Sequence, residues 1–185
     1  RANIVGNTFY GGCLAAWDMT RLYGPEGRGE QCSSADAAGF PIAALLPTAD
    51  EVAAGEINHA IRFILPNNRM RAGVYVHPAN HAGSPSGPSQ APVYGSRWRL
   101  RADYPIDSLP SEGAKVIATA MKKYGMALAD GGNIALTVQS DRFTAAKWNG
   151  VLGPYDLSAL DPTDFEVVDT GTPTTLTYDC NRSAY

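Results

Sequence analysis

The chain has 185 residues, 44% of them apolar, with 15 Lys and Arg against 18 Asp and Glu for a formal net charge of −3. That length supports one domain with a real core and does not demand two. The apolar fraction excludes a disordered or collagen-like chain, the lack of a basic excess ranks nucleic-acid binding low, and no apolar run approaches the ~20 residues of a membrane span.

In chain order, residues 1–40 are dense in glycine and read as loop, with one apolar patch, Leu14 to Met19, that fits a strand. Pro41 to Leu46 is a short apolar run ended by Pro47. Thr48 and Glu51 have the spacing of a capping box, and Gly55 fits a helix stop, so a short helix is predicted at about 49–54. Ile57 to Leu65 alternates as a strand, with Ile57, His59, Ile61 and Phe63 on one face and Asn58, Ala60, Arg62 and Ile64 on the other. Pro66-Asn67-Asn68 is a turn, and Ala72 to His77 is rich in β-formers. Pro78 to Pro92, loaded with Gly, Ser and Pro, is the longest irregular stretch, of a kind that carries function or moves.

Gly95 to Tyr104 is the clearest strand, with Arg97, Arg99 and Arg101 on one face. Ser111 to Tyr124 is the clearest helix. Ser111 is its cap, Val116, Ile117, Ala120, Met121 and Tyr124 form its apolar stripe, and Gly125 is its stop. Met126 to Leu128 and Ile134 to Val138 fit a strand pair across Asp130-Gly131-Gly132-Asn133. Asp161-Pro162-Thr163-Asp164 is one helical turn, and Phe165 to Val168 and Thr174 to Tyr178 close the chain as strands. Strands that follow one another without helices between them predict a mainly β fold: a β-sandwich or jelly-roll-like body with one packed α-helix and short helical turns, in a single domain over 1–185.

The cysteines are Cys13, Cys32 and Cys180, with no Cys-x-x-Cys. A nucleophile is one reading; a disulfide in a secreted protein is the favoured one. Cys13–Cys32 would close a short loop and leave Cys180 free or bonded to another chain of the same precursor. Alternatively, Cys180 ties the C-terminal tail to the N-terminal region. Asn181-Arg182-Ser183 is an acceptor triplet for N-glycosylation at Asn181. The chain starts at Arg1 without an initiator Met, which suggests a removed leader or a piece of a longer product.

Ser34-Ala35-Asp36-Ala37-Ala38-Gly39-Phe40-Pro41, Asp50-Glu51-Val52-Ala53-Ala54-Gly55-Glu56-Ile57, His59-Ala60-Ile61-Arg62-Phe63, Lys122 to Asp130 and Asp164 to Asp169 together resemble a family of secreted, mostly bacterial proteins of unassigned function. The resemblance covers about 34 to 170. Members of that family carry a further stretch upstream, which implies that this chain is the C-terminal portion of a longer processed precursor. The family pattern has Trp where this chain has His77, and it brings no catalytic assignment.

Chemistry is sought first in the histidines. His77 and His81 lie four apart at a strand end, suited to binding a metal or to proton transfer near neutral pH, though nothing adjacent supplies the third ligand a zinc site wants. His59 follows Glu56 with Glu-x-x-His spacing, but on a strand the two point to opposite faces. Arg97 and Arg99 suit carboxylate groups of an acidic sugar, and Tyr94, Tyr75 and Trp98 suit stacking on sugar rings. Asp130, Asn133 and the series Asp156, Asp161, Asp164 and Asp169 offer oxygen ligands for calcium, though turn chemistry explains them without a metal. Gly83 to Gly87 is a poor nucleophile elbow because of Pro85. No cofactor is required.

The expectation is therefore an extracellular enzyme, a hydrolase or lyase on an acidic polysaccharide. His81 and His59 would transfer protons, with Glu56 and Asp130 as candidate carboxylates, and Arg97, Arg99, Tyr94 and His77 would hold substrate. The alternative is a non-catalytic structural or adhesive component of an extracellular matrix or filament.

Overall fold

Two helices form where cap residues and apolar spacing call for them. In the computed structural model, which describes residues 2–11, 15–168 and 171–182, α1 spans Ala49–Ala54. The Glu51 N–H donates to Thr48 Oγ1 at 3.2 Å and the Thr48 N–H donates to the Glu51 carboxylate at 2.9 Å. This reciprocal pair satisfies two otherwise orphaned donors, and Gly55 ends the helix in the left-handed region at φ 86°. α2 spans Glu112–Lys123, with the Ala114 N–H donating to Ser111 Oγ at 3.2 Å. Its buried stripe includes Ala114, Ile117, Ala118 and Met121, while Lys122 and Lys123 occupy the last turn, where the helix dipole favours cations.

The strands are β1 (Ala2–Val5), β2 (Thr8–Gly11), β3 (Ile61–Leu65), β4 (Val74–Tyr75), β5 (Arg97–Leu100), β6 (Met126–Gly131), β7 (Phe165–Val168) and β8 (Thr174–Thr175). One four-stranded sheet has the order β3-β6-β5-β7, and β1-β2 and β4-β8 form two-stranded ribbons. β3 runs parallel to β6, whereas β5 is antiparallel to both β6 and β7. The fold is a small mixed α/β domain, and this corrects the expected β-sandwich. A sandwich needs a second sheet facing the first. The segment expected to help build one, Ile134 to Val138, forms no strand. It passes the outer edge of β3 as irregular backbone, with the Ile64 N–H donating to the Ala135 carbonyl at 2.9 Å. β6 finds its partners in β3 and β5 instead.

Two smaller expectations also change. Ala15 to Met19 carry no strand, and Leu14 lies outside the described residues. The strand expected from Ile57 starts only at Ile61, because residues 57–60 are irregular, with a bend at His59. The helical turn at Pro162–Asp164 forms as expected, capped by Asp161.

The register between β3 and β6 shifts between Phe63 and Ile64. Arg62 pairs with Ala127 and Phe63 with Leu128, but Ile64 pairs with Asp130. One extra residue in β6 is thereby left unpaired. Without that bulge, Asp130 would share a face with Leu128. With it, Asp130 comes to the face of Arg62. On the other face Ile61, Phe63 and Leu128 join Leu100, Ile117 and Met121 in the core.

Pro78 to Pro92 has little regular structure, yet Ala79, Asn80, His81 and Ala82 are all buried. The Asn80 N–H donates to the Ala38 carbonyl at 3.0 Å. The C-terminal tail runs back across the molecule. β8 pairs with β4, the Leu176 N–H donates to the Gly73 carbonyl at 2.9 Å, and the Asn181 N–H donates to the Glu30 carbonyl at 3.1 Å. That path sets Cys180 against Cys32, and the two form a disulfide with Cα atoms 4.5 Å apart. It corrects both the Cys13–Cys32 pairing and the interchain bond through Cys180, and it matches the alternative in which the tail is tied back. Cys13 itself lies outside the described residues. No helix among the described residues is long and apolar enough to cross a membrane.

Candidate functional site

The residue least expected in a short apolar strand is Arg62, and its side chain is almost wholly buried. A buried guanidinium needs counter-charge and acceptors for its donors. Its Nε and Nη2 donate to Asp36 Oδ2 at 3.1 and 3.0 Å. Nη2 also lies 3.5 Å from Asp130 Oδ2, the carboxylate delivered by the bulge. Nη1 donates to Thr137 Oγ1 at 3.2 Å. Asp36 is fully buried and takes a further hydrogen bond from the Ala38 N–H at 2.9 Å.

Burial pushes the Asp36 carboxyl up to about 7, against the pull of Arg62 and of the Ala38 N–H, and the neighbouring Asp130 charge adds to the rise. The Tyr94 phenol, also buried, is pushed up by burial and by the charges of Asp130 and Asp36. Two carboxylates thus share one guanidinium on one side of the sheet.

Across the edge of β3 lies an apolar groove of about 570 Å³. Ile61 of β3 and Ile117 of α2 form part of its floor. Residues 134–138 form one wall, and Leu152, Pro154 and Leu157 help form the other. Ala135, Leu136 and Leu157 also line a neighbouring hollow of about 200 Å³, which reaches Phe63, Trp98 and Met121. The polar side chains on the lining of the larger groove are Thr137 and Ser158. The combined space falls within the range of small-molecule sites, which are mostly apolar with few polar groups on the lining.

The residues singled out from the sequence lie in separate surroundings. His81 is buried, its Nδ1 2.9 Å from the Ala37 carbonyl and its ring edge-on to Tyr178. His59 Nδ1 meets the Ala60 carbonyl at 2.9 Å, and its Nε2 lies 3.3 Å from Glu51. His77, half exposed, places Nε2 3.0 Å from Glu30 Oε2, and the other Glu30 oxygen accepts from the buried Tyr75 hydroxyl. Glu56 is exposed and pairs with Lys123; the Asn58 side chain and then Lys123 hold its carboxyl below the usual range.

The arginine row is used within the fold. Arg97 donates to the Tyr124 carbonyl at 2.5 Å, Arg99 pairs with its cross-strand neighbour Glu166, and Arg101 donates to the Thr163 carbonyl. Tyr94 is buried beside the ion network rather than offered to solvent. Asp156 accepts from Ser111 Oγ and from the Gly153 N–H, and Asp161 and Asp164 cap a turn. Asp169 lies outside the described residues. Among the described residues, no three His, Cys, Asp or Glu side chains gather as metal ligands.

Of the expected site residues, Asp130 alone joins the network described above. Asp36, Arg62 and Thr137 were missed, as were the aliphatic walls. The available signal was Arg62 itself: a charge flanked by Ile61, Phe63, Ile64 and Leu65 requires a carboxylate from elsewhere in the chain. Compared with protein-family models, curated proteins and solved structures, the chain has no significant match.

Proposed function

We propose that this chain is an extracellular binding module that takes a small, largely apolar molecule into the groove beside residues 134–138. The observation that carries the reading is the lining: about 570 Å³ of space walled by aliphatic side chains and opening at the surface. A groove of that kind left filled only with water is costly, and burying a ligand there recovers apolar area. The Cys32–Cys180 disulfide, the Asn181 acceptor triplet and the resemblance to secreted proteins support the extracellular setting.

This reading stands in place of glycan cleavage. Acid–base catalysis needs proton-transfer groups within reach of one substrate, and the three histidines each serve a different neighbour: Ala37, Glu51 or Glu30. The groove also lacks a pair of carboxylates on its lining.

The test is titration of the disulfide-intact protein with N-phenyl-1-naphthylamine, a neutral apolar fluorophore. Saturable binding is expected, and Leu157→Trp, which adds bulk at a side chain lining both hollows, weakens it by about tenfold or more while the protein still melts cooperatively. Absence of saturable binding, or equal binding by a folded Leu157→Trp variant, overturns the reading.

A second reading, assembly through strands, is favoured by the β1–β2 ribbon. Ile4 and Phe9 face each other across it at 69% and 67% exposure, an apolar pair that a second copy of the chain can cover. Sedimentation equilibrium with and without residues 2–11 decides it. A concentration-dependent mass that disappears on deletion supports assembly, and a monomer at all concentrations rejects it.

A further inference from the structure

On the sheet face that carries Arg62, Ala127 of β6 pairs with both Arg62 and Arg97 of β5. Ala127 and Arg97 line a further hollow of about 210 Å³, which among the described residues shares no lining with the groove. Its walls include Trp17, Tyr23, Phe40 and the rings of Pro25 and Pro78. The Trp17 and Tyr23 rings meet edge to face, with centroids 4.6 Å apart. We propose that this hollow binds a phenol: a neutral aromatic ring whose hydroxyl donates a hydrogen bond to the side-chain oxygen of Asn80.

Asn80 lines the hollow and is 2% exposed. Its Nδ2 donates to the Pro25 carbonyl at 3.3 Å, which fixes the orientation of the amide, because only the NH2 end can donate. Among the described residues nothing donates to the remaining atom, Oδ1. Gly27 and Gly39 also line the hollow, and a Cβ on them would stand 3.2 and 2.8 Å from Oδ1. With no Cβ at either position the oxygen stays uncovered. A Cβ on Gly27 would also stand 3.2 Å from the Trp17 ring, so acceptor and aromatic wall border one space. A buried acceptor without a donor is destabilising, and a ligand O–H removes that penalty.

The surroundings select a neutral donor. Arg97 stands on the lining and the Arg28 guanidinium lies 5.9 Å from the centre of the Trp17 ring, whereas among the described residues no Asp or Glu lines the hollow. An ammonium would supply the hydrogen bond but meet two cations and no counter-charge. A proline-rich peptide, a common guest of aromatic grooves, offers few N–H donors. A saccharide would bury several hydroxyls against aromatic and proline rings. A cavity of about 150 Å³ takes a benzene ring, so this hollow has room for one ring and its hydroxyl, and its aromatic walls suit ring contacts.

The experiment titrates the disulfide-intact, nitrogen-15-labelled protein at neutral pH with p-cresol, its methyl ether 4-methylanisole and the cation 4-methylbenzylamine. The Trp17 indole and Asn80 side-chain amide resonances are followed. p-Cresol is neutral there, since phenols ionise near a pKa of about 10. It is expected to shift both resonances saturably and to bind about tenfold tighter than the ether, which keeps the ring and the oxygen but has no proton to give. The amine is expected to bind weakest. Asn80→Leu abolishes the advantage of p-cresol over the ether. If that variant does not fold, Trp17→Ala, at a half-buried loop position, weakens p-cresol by about tenfold through the loss of one wall. Equal binding of phenol and ether, shifts at the Trp98 indole in place of Trp17, an advantage that survives in Asn80→Leu, undiminished binding by a folded Trp17→Ala, or tightest binding by the amine overturns the inference.

Discussion

Arg62 carries its charge into a strand whose other members are Ile61, Phe63, Ile64 and Leu65, and it remains there because two carboxylates and a hydroxyl receive its donors. Replacing it by Met keeps most of the apolar stem and strands Asp36 in the interior. Loss of one partner of a buried pair costs about 3–5 kcal/mol, so Arg62→Met is expected to lower the urea midpoint by a corresponding amount. A loss under about 1 kcal/mol would place the pair among weak surface bridges.

Asp36 also sets a pH dependence. Its folded value is raised to about 7 from an ordinary 3.8, so between those values the folded chain keeps a proton that the unfolded chain has released. Its contribution to stability is therefore fully present below the ordinary value. It diminishes as pH rises toward 7 and levels off beyond. Asp36→Asn cannot titrate. Unfolding midpoints collected from pH 4 to 8 are expected to fall with rising pH for the wild type relative to that variant. Parallel profiles would show that Asp36 does not titrate in this window.

At the scale of elements, helix α1 depends on a local device. Thr48→Ala removes the acceptor for the Glu51 N–H and is expected to cost about 1 kcal/mol, read as a lower melting temperature with unchanged groove binding. The same locality explains what the sequence made legible. Thr48, Glu51, Gly55, Ser111 and Gly125 sit within a few residues of the backbone groups they serve, so both helices and their ends were readable. β5 and β7 were readable from alternation and composition.

The hairpin expected across Asp130 to Asn133 does not form, because pairing is decided by residues far away. β6 pairs with β3, some sixty residues earlier, and that register shifts by one at a bulge with no local signature. The site suffers the same limit. Asp36 and Thr137 reach Arg62 across 26 and 75 residues, and Ile117, Leu136 and Leu157 each look like ordinary core residues until the fold leaves a space between them. The histidines drew attention as rare titratable residues, yet each is engaged by its own neighbours.

On the scale of the whole molecule, the tail and the N-terminal loops depend on one another. Gly29 shows how close they come: a Cβ there would strike the Asn181 carbonyl, and its φ of +133° is one that few side chains tolerate. Cys180→Ser opens a loop of 148 residues. On the chain-entropy account it is expected to cost about 3–5 kcal/mol, measured as a lower guanidinium midpoint that dithiothreitol imposes equally on the wild type. If dithiothreitol leaves the wild-type midpoint unchanged, the clasp contributes nothing to stability.

That clasp also orders events in time. During synthesis Cys32 emerges early and its partner only 148 residues later, a wait of about 7–30 s at ordinary elongation rates. Throughout that interval the early thiol is open to any oxidant or competing thiol it meets. Maturation therefore favours a chain held reduced until Cys180 has emerged, so that the clasp closes late rather than early.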